Sequence, residues 1–233
     1  MKFVHVVQHT SAEYLGLIED HLEGRGVRFR YCRPFAGKSP LPREDALGDG
    51  LILLGGGPWG SAGTRDVPTL AQEIALARAC LAQERPIVGI GLGAQILALA
   101  AGGRSEPADL EFAVTTARRV GERALNAYLP AEYPLVIYMR DRPVPPAHAA
   151  VLAQDENGRA ALWQIGRAAF GFVGHPGIKV AMVEDLMMEF EEVPKDIESG
   201  LAKLRVVQRS IEDALVPIMT GLTQLTGWMH APA

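Results

Sequence analysis

The chain has 233 residues and a formal charge of −4, with 48% hydrophobic and 21% charged residues. This balance is typical of one globular domain over residues 1–233, and the mild acidity disfavours a nucleic-acid partner. Apolar runs fall short of the roughly 20 residues that a membrane span needs. The cysteines, Cys32 and Cys80, form neither a metal-binding spacing nor a disulfide framework. We therefore expect a cytoplasmic protein with no bound metal and no membrane contact.

The first half of the chain alternates between strand and helix patterns. A helix is predicted over residues 12–24 with Ser11 as its N-cap, and another over residues 68–83. Residues 33–50 are predicted to form a loop with at most one helical turn. Strands are predicted at residues 2–8, 27–32, 50–54 and 86–90. The alternation indicates a mostly parallel sheet with helices on both faces.

The second half begins with short strand patterns separated by turns. These lie at residues 112–117, 135–139, 161–165 and 169–173, and they predict an antiparallel extension of the sheet. A helical segment at about 180–229 ends the chain and carries an apolar stripe at helical spacing. The stripe predicts docking on the chain's own sheet, and a homodimer interface is the alternative. The fold class is therefore α/β, with an antiparallel extension and C-terminal helices.

The most informative segment is PIVGIGLGAQILALAAGG, residues 86–103, in which a strand, a glycine turn and a helix follow one another. Gly89, Gly91 and Ala94 fit the G-x-G-x-x-G/A pattern that admits a pyrophosphate to a helix N-terminus. A nucleotide-binding module is therefore one hypothesis. The acidic residue expected about 20 positions further on has no clear counterpart. Its absence weakens the nucleotide-binding hypothesis.

Two further segments give the turn another interpretation. ILLGGGPWGS at 52–61 precedes it and FGFVGHPG at 170–177 follows it. In this order and separation the three segments closely resemble the class I glutamine amidotransferases, which include the glutaminase parts of GMP synthase and stand-alone relatives. The resemblance implies a flavodoxin-like α/β fold. It also implies a cysteine nucleophile at a sharp elbow, a histidine that activates it, and a glutamate two residues later. Ammonia would pass to a synthase partner.

The resemblance places glycines at two of the three catalytic positions. The nucleophile position is Gly91, the acid position is Gly177, and only the histidine remains, as His175. The implied oxyanion donors are the backbone N–H groups of Gly57 and Leu92. Because loss of a triad nucleophile typically lowers turnover by about 10⁶, we expect no glutaminase activity.

A ligand-binding site can remain in a protein that has no glutaminase activity. A glutamine-like or carboxylate molecule is the expected ligand, no cofactor is implied, and the candidate ligand-binding residues are Gly56, Trp59, Gln95 and Arg140. The leading hypothesis is a ligand-binding, scaffolding or regulatory subunit of a biosynthetic system. The alternatives are an enzyme of changed hydrolase or transferase chemistry that uses His175, and the nucleotide-binding module.

Overall fold

The computed structural model describes residues 1–37 and 40–229. Its parallel half is formed by β1 (Phe3–Val7), β2 (Arg28–Cys32), β3 (Gly50–Leu53) and β4 (Ile87–Ile90), in the spatial order β2-β1-β3-β4. Every residue of β3 and β4 is buried, as expected for parallel strands that are covered on both faces. The predicted α/β class and parallel arrangement are confirmed.

The helices of this half are α1 (Ile18–Glu23), α2 (Leu70–Ala82) and α3 (Leu92–Ala100). The prediction of a helix from residue 12 with Ser11 as its cap is wrong, because α1 begins only at Ile18. Residues 8–17 form an irregular segment instead, which buries several of its polar side chains. The loop over 33–50 contains two short 3₁₀ turns, Pro34–Ala36 and Glu44–Ala46, where at most one turn was expected.

The second half of the sheet continues from β4 in the order β11-β10-β9-β6-β7. Its strands are β6 (Glu111–Arg119), β7 (Glu132–Met139), β9 (Ala150–Gln154), β10 (Ala160–Ile165) and β11 (Ala169–Phe172). A separate two-stranded ribbon pairs β5 (Arg104–Glu106) with β8 (Arg142–Val144).

The antiparallel extension is confirmed with one correction, which concerns β11. This strand pairs antiparallel with β10 but parallel with β4, where Phe172 lies opposite Ile90. It therefore belongs to the central parallel sheet. The pairing also delivers the segment after β11, which carries His175, to the same sheet edge as the turn after β4.

Two helices complete the fold, α4 (Val180–Glu189) and α5 (Ile197–Leu225). The apolar stripe of α5 lies against β6, β7 and α4, and Leu204 and Leu215 are fully buried. The stripe thus packs against the chain's own sheet. Among the described residues, no helix combines the length and apolar character needed to cross a membrane.

Two neighbouring positions on α5 test this docking. Leu204 is 0% exposed and Val206 is 82% exposed. We expect Leu204→Ala to lower the free energy of unfolding by about 2–5 kcal/mol, because it leaves a cavity. Val206→Ala on the outer face is the matched control and should change it by less than about 0.5 kcal/mol. Urea denaturation of both variants measures the difference, and equal losses would contradict the assigned faces.

Candidate active site

The turn between β4 and α3 contains Gly91, the predicted nucleophile position, and passes sharply from strand into helix. Gly91 has φ 56° and ψ −114°, a conformation that strains any residue with a side chain. Its N–H donates to Phe172 O (2.9 Å) and its carbonyl accepts from Ala94 N (3.0 Å). A Cβ added at Gly91 would have Gly55 Cα as its nearest neighbour, at 3.4 Å. The turn therefore persists, with room above it for a small side chain.

The first predicted oxyanion donor is already engaged by the chain itself. Gly57 has φ 55°, and its N–H donates to the Glu13 carboxylate. The Glu13 carboxylate also lies directly against Gly55, where it would overlap an added Cβ. Glu13 is only 4% exposed. The Gly57 N–H is thus occupied by an internal carboxyl group that the sequence motifs did not point to.

The environment of Glu13 controls its ionisation. Burial raises the pKa of the Glu13 carboxyl from 4.5 to about 7, and the charge of Glu189 contributes in the same direction. The hydrogen bond from Gly57 and the charge of His9 oppose this rise in pKa without cancelling it. The Glu13 carboxyl group therefore binds its proton up to a much higher pH than an exposed glutamate does.

His9 and Glu73 form a buried pair beneath the same loop. His9 Nδ1 lies 3.0 Å from Gly55 O, and its Nε2 lies 2.7 Å from Glu73 Oε2. Since a carbonyl oxygen only accepts, Nδ1 carries a proton. Burial alone lowers the pKa of His9, but the charge and hydrogen bond of Glu73, with help from Gly55 and Glu13, raise it above its ordinary value. His9 therefore holds the loop by donating its Nδ1–H to Gly55 O, while Glu73 holds the other side of the ring.

His175 lies at the expected sheet edge, but both of its ring nitrogens are bound to backbone. The Gly177 N–H donates to Nδ1 (3.1 Å), so the proton is on Nε2, which donates to Tyr14 O (2.8 Å). Burial lowers the pKa of His175 to about 4, although its backbone hydrogen bonds favour the charged form. The ring is consequently neutral, and neither nitrogen is free to take a proton from a nucleophile.

Gly177, the predicted acid position, has no space for a side chain. A Cβ on Gly177 would lie 2.8 Å from Ile18 Cγ1 and 3.0 Å from Ile18 N. The Gly177 carbonyl accepts a hydrogen bond from Leu17 N (2.8 Å). Residues 15–18 therefore fill the volume that an orienting glutamate would need.

Two of the predicted ligand-binding side chains have internal partners. Gln95 is fully buried; its Nε2 donates to Arg140 O (2.6 Å) and its Oε1 accepts from Ser61 Oγ (2.6 Å). Arg140 donates from Nε to Pro58 O (2.9 Å) and pairs with Glu192 through Nη2. Both side chains thus tie the glycine-rich loop to the antiparallel half of the sheet.

The end of α4 and the residues after it cover the loop; we call residues 186–192 the cover segment. An added Cβ on Gly57 would lie 3.1 Å from both Leu186 Cδ2 and Phe190 Cε2. Glu189 accepts the backbone N–H groups of residues 11 and 12, both at 2.9 Å. Glu192 pairs with Arg140 and, at 2.5 Å, with Arg65. These contacts pack the cover segment against Gly57 and against the segment that follows β1.

Other predicted residues take different positions. Gly56 lies under the Leu92 side chain, which would overlap a Cβ added there. Trp59 is partly exposed, and the Arg65 guanidinium stacks over its ring at 5.0 Å. Trp59 lines a cavity together with His9 and Phe35.

Comparison with known proteins identifies the family of the chain. The family model of Glutamine amidotransferase class-I matches residues 14–179, and the chain therefore belongs to the class I glutamine amidotransferase family. A putative glutamine amidotransferase-like protein of Salmonella typhimurium, YfeJ, is 27% identical over 84% of each chain.

Solved structures share the fold at lower identity. A glutamine amidotransferase from Thermotoga maritima superposes with a TM-score of 0.80 at 19% identity, covering 97% of this chain and 98% of that one. A putative GMP synthase subunit from Thermoplasma acidophilum has a TM-score of 0.56 at 20% identity, covering 90% of this chain and 98% of that one.

The lack of space at position 177 is open to a direct test. We expect Gly177→Ala to destabilise the protein by about 1–3 kcal/mol, because its methyl group would overlap Ile18. Gly121→Ala is the matched control, since nothing lies within 4 Å of its added Cβ, and it should be neutral or stabilising by up to about 1 kcal/mol. Thermal melting measures both. Equal stability of the two variants would show that residues 15–18 can move away from the added methyl group without a cost in stability.

The raised pKa of Glu13 predicts how stability changes with pH. The unfolded chain releases this proton near pH 4.5 and the folded chain near pH 7, so the folded state loses stability as the pH rises between these values. Glu13→Gln removes that loss. The unfolding free energy of the variant, relative to wild type, should rise by up to about 3 kcal/mol from pH 4.5 to pH 7 and then level off.

Urea denaturation across this pH range measures the effect. Glu156→Gln, which replaces an exposed carboxyl, serves as the control and should stay within about 0.5 kcal/mol of wild type. A constant difference between wild type and Glu13→Gln at all pH values would contradict the raised pKa.

Proposed function

We propose that this chain is a class I amidotransferase that does not hydrolyse glutamine and acts as a scaffolding or regulatory subunit of a biosynthetic enzyme system. The observation that carries the proposal is Gly91, a nucleophile position with intact elbow geometry and no nucleophile. Loss of this group alone typically lowers turnover by about 10⁶.

Three further features support the proposal, because they would block turnover even with a thiol at the elbow. The Gly57 N–H is bound to Glu13, so it is not available to a developing oxyanion. The nitrogens of His175 are both bound to backbone. Position 177 has no volume for an orienting acid.

Neither described cysteine supplies a substitute nucleophile. Burial raises the pKa of the Cys32 thiol and raises that of Cys80 to about 11, so both stay protonated and weakly reactive at neutral pH. Both are free and buried, which fits the reducing cytoplasm where we place the protein.

A partner protein fits the arrangement better than an independent catalyst. The cover segment packs against Gly57 through Leu186 and Phe190, and one solved structure of the same fold is that of a putative GMP synthase subunit. A carboxylate ligand would have to displace Glu13 from Gly57, and such competition would couple ligand binding to the position of the loop. Hydrolysis by His175 with a bound water is disfavoured, because the ring has no free nitrogen.

A glutaminase assay tests the proposal. Purified wild type and Gly91→Cys are incubated with glutamine, and glutamate is measured enzymatically. The added Cβ has room in Gly91→Cys, so we expect a folded protein, destabilised by about 1–3 kcal/mol through backbone strain. We expect both proteins to stay at background glutamate release.

His175→Ala provides the control for any activity that is seen. Glutamate release by wild type that His175→Ala abolishes would refute the proposal outright. Release by Gly91→Cys but not by wild type would show that the nucleophile is the only missing part, and that the contacts of Glu13 and His175 do not block the chemistry.

A further inference from the structure

A small cavity lies apart from the elbow, at the carboxyl ends of the first three strands. Its walls come from residues that follow β1 (His9), β2 (Pro34 and Phe35) and β3 (Trp59), and from Val67, Pro68 and Thr69 before α2. The cavity measures about 110 Å³ and opens to solvent at one side.

The topology of the sheet favours this position for binding. The chain runs from β1 outward to β2 and then returns to β3 on the opposite side of β1, in the order β2-β1-β3-β4. The order of strands therefore reverses between β1 and β3. In open parallel sheets, ligands bind outside the carboxyl ends of the strands at this reversal. His9 and Trp59 follow the two strands that flank it.

The walls of the cavity are suited to a flat ring. Phe35 and Trp59 supply aromatic faces, and Pro34 and Pro68 supply the flat surfaces of their own rings. Phe35 is 47% exposed, so its ring can be reached from solvent. The volume approaches that of an engineered cavity of roughly 150 Å³ that binds benzene. One six-membered ring therefore matches the available space.

The charged side chains near the cavity indicate which kind of aromatic ring it would bind. His9 is buried in the cavity wall, with Nδ1 3.0 Å from Gly55 O and Nε2 2.7 Å from Glu73 Oε2, so any charge on its ring is paired. Arg65 places a guanidinium over the Trp59 ring at 5.0 Å. A cation beside an aromatic wall attracts the electron-rich face of a neutral ring and repels a cationic one.

We infer that the crevice between the ends of β1 and β3 is a binding site for a small molecule that carries one neutral, electron-rich aromatic ring, held between Phe35 and Trp59 beside His9. This site is separate from the elbow, and its occupation does not depend on whether the elbow is catalytic. Because His9 also holds Gly55 O, a bound ring would contact the same histidine that supports the glycine-rich loop.

Phenol is the probe for the test, since it is a neutral single ring. The ¹H–¹⁵N spectrum reports binding through the tryptophan indole N–H signals. Trp163 and Trp228 are 0% and 1% exposed and serve as internal references, and Trp59→Phe assigns the third signal. We expect phenol to shift the Trp59 signal saturably and to leave the other two unchanged. Cyclohexanol, the saturated analogue, and N-methylpyridinium, a cationic ring, should bind at least about threefold more weakly.

Two exposed aromatic side chains form the matched variants. Phe35→Ala removes a wall of the cavity and should weaken phenol binding by about two- to tenfold. Tyr128→Ala removes a ring that is 39% exposed and outside the cavity, and it should leave the affinity unchanged. Both side chains are exposed enough for the fold to survive, which melting temperatures would verify.

Several results would overturn the inference. These are the absence of a saturable shift at Trp59, equal shifts at all three tryptophans, equal binding of phenol and cyclohexanol, and no effect of Phe35→Ala. None of these results bears on glutamine hydrolysis, so this inference and the proposed function can fail independently.

Discussion

The hydrogen bond from the Gly57 N–H to the Glu13 carboxylate is the interaction on which the rest of the site depends. A buried carboxyl group is costly unless it is paired and hydrogen-bonded, and here it has the Gly57 N–H and the nearby charge of His9. To place Glu13 under the loop, the chain after β1 must leave helical geometry, which is why α1 begins only at Ile18. The same irregular segment then brings Tyr14 O to His175 and Leu17 N to Gly177.

One segment of the chain therefore contacts all three of the positions Gly57, His175 and Gly177. Residues 8–18 supply the carboxyl group at Gly57, the carbonyl at His175 and the packing at Gly177, while Glu189 of α4 holds the N–H groups of residues 11 and 12. Substituting one catalytic position would leave the others engaged. The family fold is retained, because it rests on the parallel strands and on the turn at Gly91, whose hydrogen bonds need only backbone atoms.

The fold was predictable from sequence, because glycine turns and buried parallel strands leave strong local patterns, and so was the glycine turn between β4 and α3. The roles of Glu13, His9 and Glu73 were not, since each depends on contacts between residues distant in sequence. The pattern over 12–24 has helical periodicity, and tertiary contacts overrode it in its first half. One signal was available: His9-Thr10-Ser11 and Glu13 place polar groups directly after a buried strand, at the sheet edge where α/β proteins keep their sites. β9 was not predicted. β11 was assigned to the antiparallel half of the sheet, because the sequence of one strand does not indicate the direction in which it pairs.

The two glycines at catalytic positions differ in what they leave behind. At Gly91 an atom is missing and its space remains, whereas at Gly177 the space itself has gone to Ile18. A side chain at position 91 would have to tolerate a positive φ, whereas one at position 177 would require residues 15–18 to move. Under the proposed function, glutaminase activity would return only with changes in the segment between β1 and α1, which is far from Gly177 in sequence. The proposed inactivity would then rest on backbone shape as well as on a missing thiol.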